Sequence, residues 1–170
     1  MHWGENYLLS NGFKEARDEI EWLLCDLMHY KRSDLYLNSE QKVNQNKVSC
    51  FKEWVNQRLK NKPVQYITGK TEFYGNEISV SPKVLIPRME TEKLVEVAID
   101  SLKTLSRPKV LEVGTGSGCI AIAIGSARKD AKIVSIDIST SALEIAKNNA
   151  RVNKISNVTF SKLDFMKETP

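Results

Sequence analysis

Three glycines spaced two apart are the residues of this chain whose types and spacing best suit ligand chemistry. Gly114, Gly116 and Gly118 follow the mostly apolar run 110–113 and precede the apolar run 120–124. Glycine lets the backbone turn sharply and exposes main-chain N–H groups that a Cβ would shield. The stretch therefore predicts a strand, a tight turn and a helix, with a turn that can cradle a nucleotide.

An acid follows the next apolar run. Asp137 comes directly after residues 133–136 and lies 21 residues beyond Gly116. A carboxylate at that distance from a glycine turn can hold ribose hydroxyls. A dinucleotide-binding turn would place its third glycine at position 119, which is Cys119 here, so the spacing argues against NAD. An ordinary strand-to-helix turn without a ligand is the alternative.

Composition narrows the class of protein. The chain has 170 residues, 41% hydrophobic and 27% charged, which describes one ordinary globular domain or two small ones. Its apolar runs are much shorter than the roughly 20 residues that span a bilayer, so we expect a cytoplasmic protein without membrane contact. Three cysteines without a C-x-x-C spacing and two histidines indicate no metal site. The net charge of +4 is mild and its lysines are scattered, so we expect no direct nucleic-acid binding.

The elements that must position the glycines and the acid follow two patterns. Residues 1–62 show helical i, i+3, i+4 spacing and predict a small bundle, with Ser39 as the cap of its long helix. Residues 63–83 switch to alternation and predict a β-hairpin linker that turns at Gly75 and Asn76. The third segment, 84–170, is predicted to be an α/β domain.

Strand and helix alternate in that third segment. A helix is expected to begin near Thr91, with Leu94, Val95 and Leu105 among the residues that face the core. The predicted strands are 109–113, 132–136 and 158–163, and the helices between them are 119–127 and 141–153. This alternation indicates a parallel sheet. Because an open sheet of this kind has strands on both sides of its first strand, we expect 109–113 to be an exposed apolar edge and the chain to be a fragment.

Two motifs carry a resemblance to a known family. The stretch Glu112-Val-Gly-Thr-Gly-Ser-Gly118 resembles in full the E/D-x-G-x-G-x-G signature of S-adenosylmethionine methyltransferases. Together with the helical bundle, the hairpin and Leu85-Ile-Pro-Arg-Met-Glu-Thr-Glu92, it resembles the HemK-type protein-(glutamine-N5) methyltransferases over all 170 residues. One position departs from the family's P-R-P-E/D-T-E element, where Met89 replaces the second proline. The resemblance implies a Rossmann-like methyltransferase fold, incomplete at the C-terminus, as the first half of that domain.

The same resemblance implies S-adenosylmethionine as cofactor and assigns its contacts. The methionine end lies against the glycine turn, the ribose on Asp137, and the adenine near Asp164 and Phe165. The implied cofactor residues are Arg88, Glu90, Thr91, Glu112, Gly114, Thr115, Gly116, Ser117, Gly118, Asp137, Asp164 and Phe165. The residue types leave other roles open: a core position for Phe165, a helix cap for Thr91, and an exposed ion pair for Arg88 with Glu90.

The implied activity is methylation of the side-chain amide N5 of a glutamine in peptide chain release factors, by a monomeric full-length enzyme. The family's Asn-Pro-Pro-Tyr catalytic motif does not occur in this sequence, so we assign no catalytic residue and expect the chain to be inactive alone. One alternative is an adenine-N6 nucleic-acid methyltransferase, against which the helical bundle and the missing basic stripe argue. Another is a truncated module that only binds a protein partner through its helices.

Overall fold

The computed structural model describes residues 1–167, so residues 168–170 of the predicted third segment lie outside the described part. The chain divides into two compact units, Met1–Thr68 and Gly69–Pro170. No helix within 1–167 combines the length and apolar character that a membrane crossing requires.

The first unit is the predicted helical bundle. Its helices are α1 (His2–Ser10), α2 (Ala16–Met28), α3 (Arg32–Leu37), α4 (Gln45–Leu59) and α5 (Val64–Thr68). The i, i+3 spacing of Ile20 and Leu23 puts both on one face of α2, where they are fully buried with Leu8 and Val55. Burial of these side chains stabilises the bundle, since each contributes about 1.5 to 3 kcal/mol.

The cap of the long helix α4 differs from the prediction. Asn44, with extended backbone angles, precedes the helix, and its side-chain oxygen accepts a hydrogen bond from the Lys47 amide at 2.9 Å. The expectation that Ser39 caps this helix was wrong, because the chain between Ser39 and Asn44 is not helical. A capping side chain acts only on the first turn that follows it.

The second unit contains a hairpin and a three-stranded parallel sheet. Its elements are β1 (Lys70–Phe73), β2 (Asn76–Ser79), α6 (Met89–Leu102), β3 (Lys109–Val113), α7 (Cys119–Ala127), β4 (Lys132–Asp137), α8 (Thr140–Val152) and β5 (Val158–Lys162). The sheet order is β3-β4-β5, with Val110 opposite Ile133 and Ile133 opposite Val158. The predicted alternation and parallel sheet are confirmed, with bounds that agree to within one residue at each end.

The sheet is buried at its centre and open at β3. Ile133 and Ile136 of β4 are at most 2% exposed, whereas Leu111 and Val113 of β3 are 46% and 52% exposed. β3 pairs only with β4 among the strands that the structure describes. The prediction of an exposed apolar edge at 109–113 is therefore confirmed for this part of the chain.

The hairpin turns one residue earlier than predicted. Tyr74 and Gly75 both have positive φ, at 49° and 71°, which is the pattern of a two-residue hairpin turn with matching twist. Asn76 is the first residue of β2, and its side chain donates to the Tyr74 carbonyl at 2.9 Å. The hairpin belongs to the second compact unit, whereas the sequence set it apart as a linker; the domain boundaries at 62 and 83 stay a prediction.

Helix α6 begins two residues before Thr91. Arg88 occupies the cap position, and the Thr91 amide already bonds the Arg88 carbonyl within the first turn, so Thr91 is not the cap. Val95 is fully buried, but Leu94 and Leu105 are 56% and 52% exposed, which corrects the expectation that both face the core. Among the described helices and strands, α6 packs mainly against α7, which covers only part of its apolar surface.

Candidate functional site

The glycine turn connects β3 to α7 and stays attached to β4. The amides of Gly114 and Thr115 both donate to the carbonyl of Ile136, at 2.8 and 3.1 Å. The turn thus lies beside the end of β4, at the carboxyl edge of the parallel sheet. This edge is where open α/β sheets bind their ligands.

The three glycines divide into two structural roles. All have positive φ, at 87° for Gly114, 53° for Gly116 and 80° for Gly118. A Cβ on Gly114 or Gly116 would meet no other heavy atom within 4 Å, but a Cβ on Gly118 would lie 2.9 Å from the Cβ of Ala146. Gly114 and Gly116 therefore face open space, where a ligand can reach their main chain, and Gly118 permits close packing of α7 against α8.

The structure brings Asp137 to the glycine turn. Its Oδ2 accepts a hydrogen bond from the Gly116 amide at 2.9 Å, and its Oδ1 accepts one from the Ser139 amide at 2.8 Å. The side chain of Ser139 in turn caps α8 by accepting from the Ala142 amide at 3.2 Å. The carboxylate is fixed by backbone donors but only partly buried, and each oxygen keeps a lone pair for another donor.

Glu112 lies beneath the turn in a chain of polar side chains. Its Oε2 accepts a hydrogen bond from the Ser135 hydroxyl, whose oxygen lies 2.6 Å from that of Thr115. Ser135 and Thr115 are 0% and 3% exposed, so the Thr115 side chain points into the protein and not toward the open side of the turn. Burial raises the pKa of Glu112 to about 7, against the opposing effect of the Ser135 hydroxyl and with a smaller increase from the charge of Asp137.

Two buried polar atoms next to the turn lack a hydrogen-bond partner among residues 1–167. They are Oε1 of Glu112 and the hydroxyl oxygen of Ser117. Buried polar atoms are usually satisfied, and exceptions occur at functional sites or where water completes the network. The Asp137 carboxylate, by contrast, lies beside the open space over Gly114 and Gly116. That combination fits a polar ligand with hydroxyl groups.

The predicted adenine residues follow β5 at the same edge of the sheet. Asp164 accepts a hydrogen bond from the Met166 amide at 3.1 Å and pairs with Lys167 at 3.3 Å. Phe165 is 46% exposed, so it is not a core residue. Ile138, directly after Asp137, is 67% exposed and adds a second apolar side chain at this edge. The sequence did not single out Ile138, although an apolar residue next to a site acid is a visible signal.

The remaining predicted cofactor residues lie at the start of α6. Arg88 and Glu90 are exposed, and no hydrogen bond or ion pair joins them to each other or to the glycine turn in the described chain. Glu92 instead accepts a hydrogen bond from the Tyr74 amide at 2.8 Å, which attaches α6 to the hairpin turn. The structure therefore does not bring Arg88, Glu90 and Thr91 together with the turn by any polar contact. Their assignment to the cofactor stays a prediction.

Two residues that contact the turn were missed by the sequence. Ser135 links Glu112 to Thr115, and Asn149 of α8 donates to the Ser117 carbonyl at 2.9 Å. Both are almost completely buried. The available signal was a polar residue at a position that the apolar periodicity assigns to the interior, because a buried polar group requires a partner.

Comparison with known proteins identifies both units. Residues 1–69 match the model of the PrmC N-terminal domain, and residues 105–170 match that of a methyltransferase domain. The release factor glutamine methyltransferase of Leptospira interrogans is 42% identical over 147 residues, which are 86% of this chain and 51% of that protein. Its namesake from Geobacter sulfurreducens is 37% identical over 150 residues, 88% of this chain and 52% of that protein.

Among solved structures, the ribosomal protein L11 methylase of Lactobacillus delbrueckii is similar to 54% of this chain and 47% of its own, at 28% identity and a TM-score of 0.43. The parallel sheet, the glycine turn and the matched domain define a Rossmann-like methyltransferase fold. The chain is similar to these release factor glutamine methyltransferases over most of its own length, which confirms the resemblance drawn from its motifs. It spans about half the length of the curated relatives it matches.

Proposed function

We propose that this chain supplies the cofactor side of an S-adenosylmethionine-dependent methyltransferase that modifies the side-chain amide N5 of a glutamine in peptide chain release factors. The observation that carries the proposal is the glycine turn, open over Gly114 and Gly116 and hydrogen-bonded to the carboxylate of Asp137. The relatives are named release factor glutamine methyltransferases, which supports a glutamine of a release factor as the methyl acceptor. Its place of action would be the cytoplasm, with a release factor as protein partner.

The residues of the turn fit such a cofactor. S-adenosylmethionine supplies an electrophilic methyl group, and the protein's task is to bind and orient the molecule. The open side of Gly114 and Gly116 leaves space for its methionine end, which a side chain at either position would fill. The amides of Gly114, Thr115, Gly116 and Gly118 are already bonded within the protein, so the turn would contribute shape and open space to this end of the cofactor.

Asp137 would hold the ribose. A carboxylate accepts short, charge-assisted hydrogen bonds from hydroxyl groups, and two hydroxyls on adjacent carbons can meet its two oxygens. Because the amides of Gly116 and Ser139 already fix its orientation, little side-chain freedom is lost on binding. Pre-organisation of this kind raises affinity without adding contacts.

The adenine would lie against the apolar side chains at the carboxyl edge of β4 and β5. Ile138 and Phe165 are 67% and 46% exposed there, and a flat base gains from contact with an aromatic or aliphatic surface. Asp164 follows the same strand as Phe165 and offers an acceptor for an exocyclic amine. The glutamine site is not assigned to any residue of this chain, because the sequence lacks Asn-Pro-Pro-Tyr.

Two measurements test the proposal. Isothermal calorimetry of the 170-residue chain should detect binding of S-adenosylmethionine and no binding of NAD at the same concentration; the reverse preference would contradict the cofactor assignment.

For the activity, the chain is joined to the C-terminal half of the Leptospira interrogans relative and supplied with methyl-labelled S-adenosylmethionine. Label should enter a release factor but not its variant with the acceptor glutamine replaced. Equal labelling of both release factors would overturn the acceptor.

A further inference from the structure

One buried side chain joins the hairpin to the glycine turn. Asn149 of α8 is 1% exposed and makes three hydrogen bonds to main-chain atoms. Its Oδ1 accepts from the Ser79 amide at 2.9 Å, and its Nδ2 donates to the Ser79 carbonyl at 3.0 Å and to the Ser117 carbonyl at 2.9 Å. Both donor hydrogens of the amide are therefore used.

The peptide unit between Ser117 and Gly118 is held by hydrogen bonds at both ends. Its carbonyl accepts from Asn149, and its N–H donates to the Thr115 carbonyl at 2.8 Å. Ala146, almost one turn earlier on α8, contacts the same end of the turn where a Cβ on Gly118 would clash. Helix α8 thus sets its own distance from the turn through Ala146, and it orients the Ser117–Gly118 peptide plane through Asn149.

The neighbouring asparagine provides a natural comparison. Asn153 also bonds the hairpin, since its Nδ2 donates to the Glu77 carbonyl at 2.7 Å, but its other bond goes to the Asn149 carbonyl on its own helix at 2.9 Å. Asn153 therefore attaches β2 to α8 without reaching the glycine turn. The two asparagines share the hairpin and differ in contact with the turn.

We propose that Asn149 is a positioning residue that couples the packing of the β-hairpin to ligand binding at the glycine turn. This inference rests on the proposed cofactor site and adds a residue that would not touch the cofactor. Without the Asn149 amide, the Ser117 carbonyl and both main-chain groups of Ser79 lose a partner inside the protein, which is costly for buried groups. Coupling between two sites is reciprocal, so ligand bound at the turn also stabilises the hairpin.

The test compares Asn149→Ala with Asn153→Ala in the full chain. Calorimetry with S-adenosylmethionine should show about tenfold weaker binding for Asn149→Ala and a change below about twofold for Asn153→Ala. Hydrogen exchange of the ligand-free protein should be faster at the amides of Gly116 and Gly118 in Asn149→Ala only. If Asn149→Ala does not fold, Asn149→Ser keeps one hydroxyl at the position and is measured in its place.

A second readout uses an amide that neither asparagine bonds. The Val80 N–H donates to the Gly69 carbonyl at 2.8 Å beside the hairpin. Added S-adenosylmethionine should slow its exchange in the wild type and in Asn153→Ala, but not in Asn149→Ala. Equal affinity of both variants with unchanged exchange at Gly116 and Gly118 would overturn the inference. A wild type that fails to bind would contradict the proposed function, and unchanged exchange at those glycines in the ligand-free variant would separately refute the role of Asn149.

Discussion

The carboxylate of Asp137 accepts a hydrogen bond from the amide of Gly116 at 2.9 Å, across 21 residues of sequence. The acid that ends β4 and the middle of the glycine turn are therefore joined without a ligand between them. Either group alone is common at strand ends, but their direct contact brings a main-chain turn and a negative charge to one point. The ribose of the proposed cofactor would meet a site whose parts are already in place.

Replacement of Asp137 by alanine should weaken binding of S-adenosylmethionine by about 1 to 3 kcal/mol, because charge-assisted hydrogen bonds to the ribose are lost. The same change frees the amide of Gly116 and loosens the turn. Calorimetry measures the affinity, and Glu144→Ala, which removes an exposed acid from α8, is the matched control. Wild-type affinity in Asp137→Ala would return this residue to a purely structural role.

A leucine at position 116 should abolish cofactor binding while the protein still folds. The added side chain would occupy the open space over the turn, and the strain of φ at 53° costs about 1 to 2 kcal/mol. Binding is measured by calorimetry and folding by circular dichroism. Retained binding in a folded Gly116→Leu protein would show that the ligand does not use this side of the turn.

The main effect of Gly118→Ala should be a loss of stability, whereas the main effect of Gly116→Leu is a loss of binding. The new Cβ would lie 2.9 Å from the Cβ of Ala146, and overpacking of this kind costs about 1 to 3 kcal/mol. Urea denaturation measures the free energy of unfolding. The double variant with Ala146→Gly should recover part of the loss, because the contact with the Ala146 Cβ disappears while the 3.2 Å contact with its Cα and the strain of positive φ remain. No recovery would mean that the clash with Ala146 is not the cause.

Glu112 should make stability depend on pH in a direction opposite to that of an ordinary paired carboxylate. Burial raises its pKa in the folded state from 4.5 to about 7, so the folded protein binds the extra proton between these values. Its stabilising effect is complete below about pH 4.5 and is lost as pH rises through 7, a difference of about 1 to 3 kcal/mol. Glu112→Gln should remove this dependence in melts between pH 5 and pH 8. An unchanged pH profile would show that Glu112 does not titrate in this range.

Local patterns predicted the elements because their causes are local. Helix α7 was predicted with its exact bounds, since the glycines before Cys119 and the apolar run that follows mark a helix start. Asp137 was predicted at the glycine turn because its position at the end of a strand follows from alternation and spacing. The helices and strands of the second unit could thus be predicted from short stretches of neighbouring residues.

Contacts across long sequence separations could not be predicted in this way. Asn149 reaches Ser79 across 70 residues, and nothing near either residue indicates the partner. The exposure of Leu94 on α6 also depends on what packs against that helix, because its apolar periodicity describes a face and not the neighbour that covers it. The hairpin turn was predicted one residue too late, because a tyrosine with positive φ, as at Tyr74, is rare.

The exposed edge strand β3 should make this 170-residue chain self-associate at high concentration. Leu111 is 46% exposed in the middle of β3, and Val113, on the same face, is 52% exposed. Only one edge of β3 is paired among the strands that the structure describes, and a free edge with apolar side chains favours pairing with a strand of another chain. Leu111→Lys should weaken association about tenfold in sedimentation velocity experiments, because a charged side chain on an edge opposes strand pairing. Val152→Lys changes an equally exposed apolar residue at the end of α8 and should leave the association constant unchanged. Equal effects of the two lysines would assign the association to general hydrophobicity and not to β3.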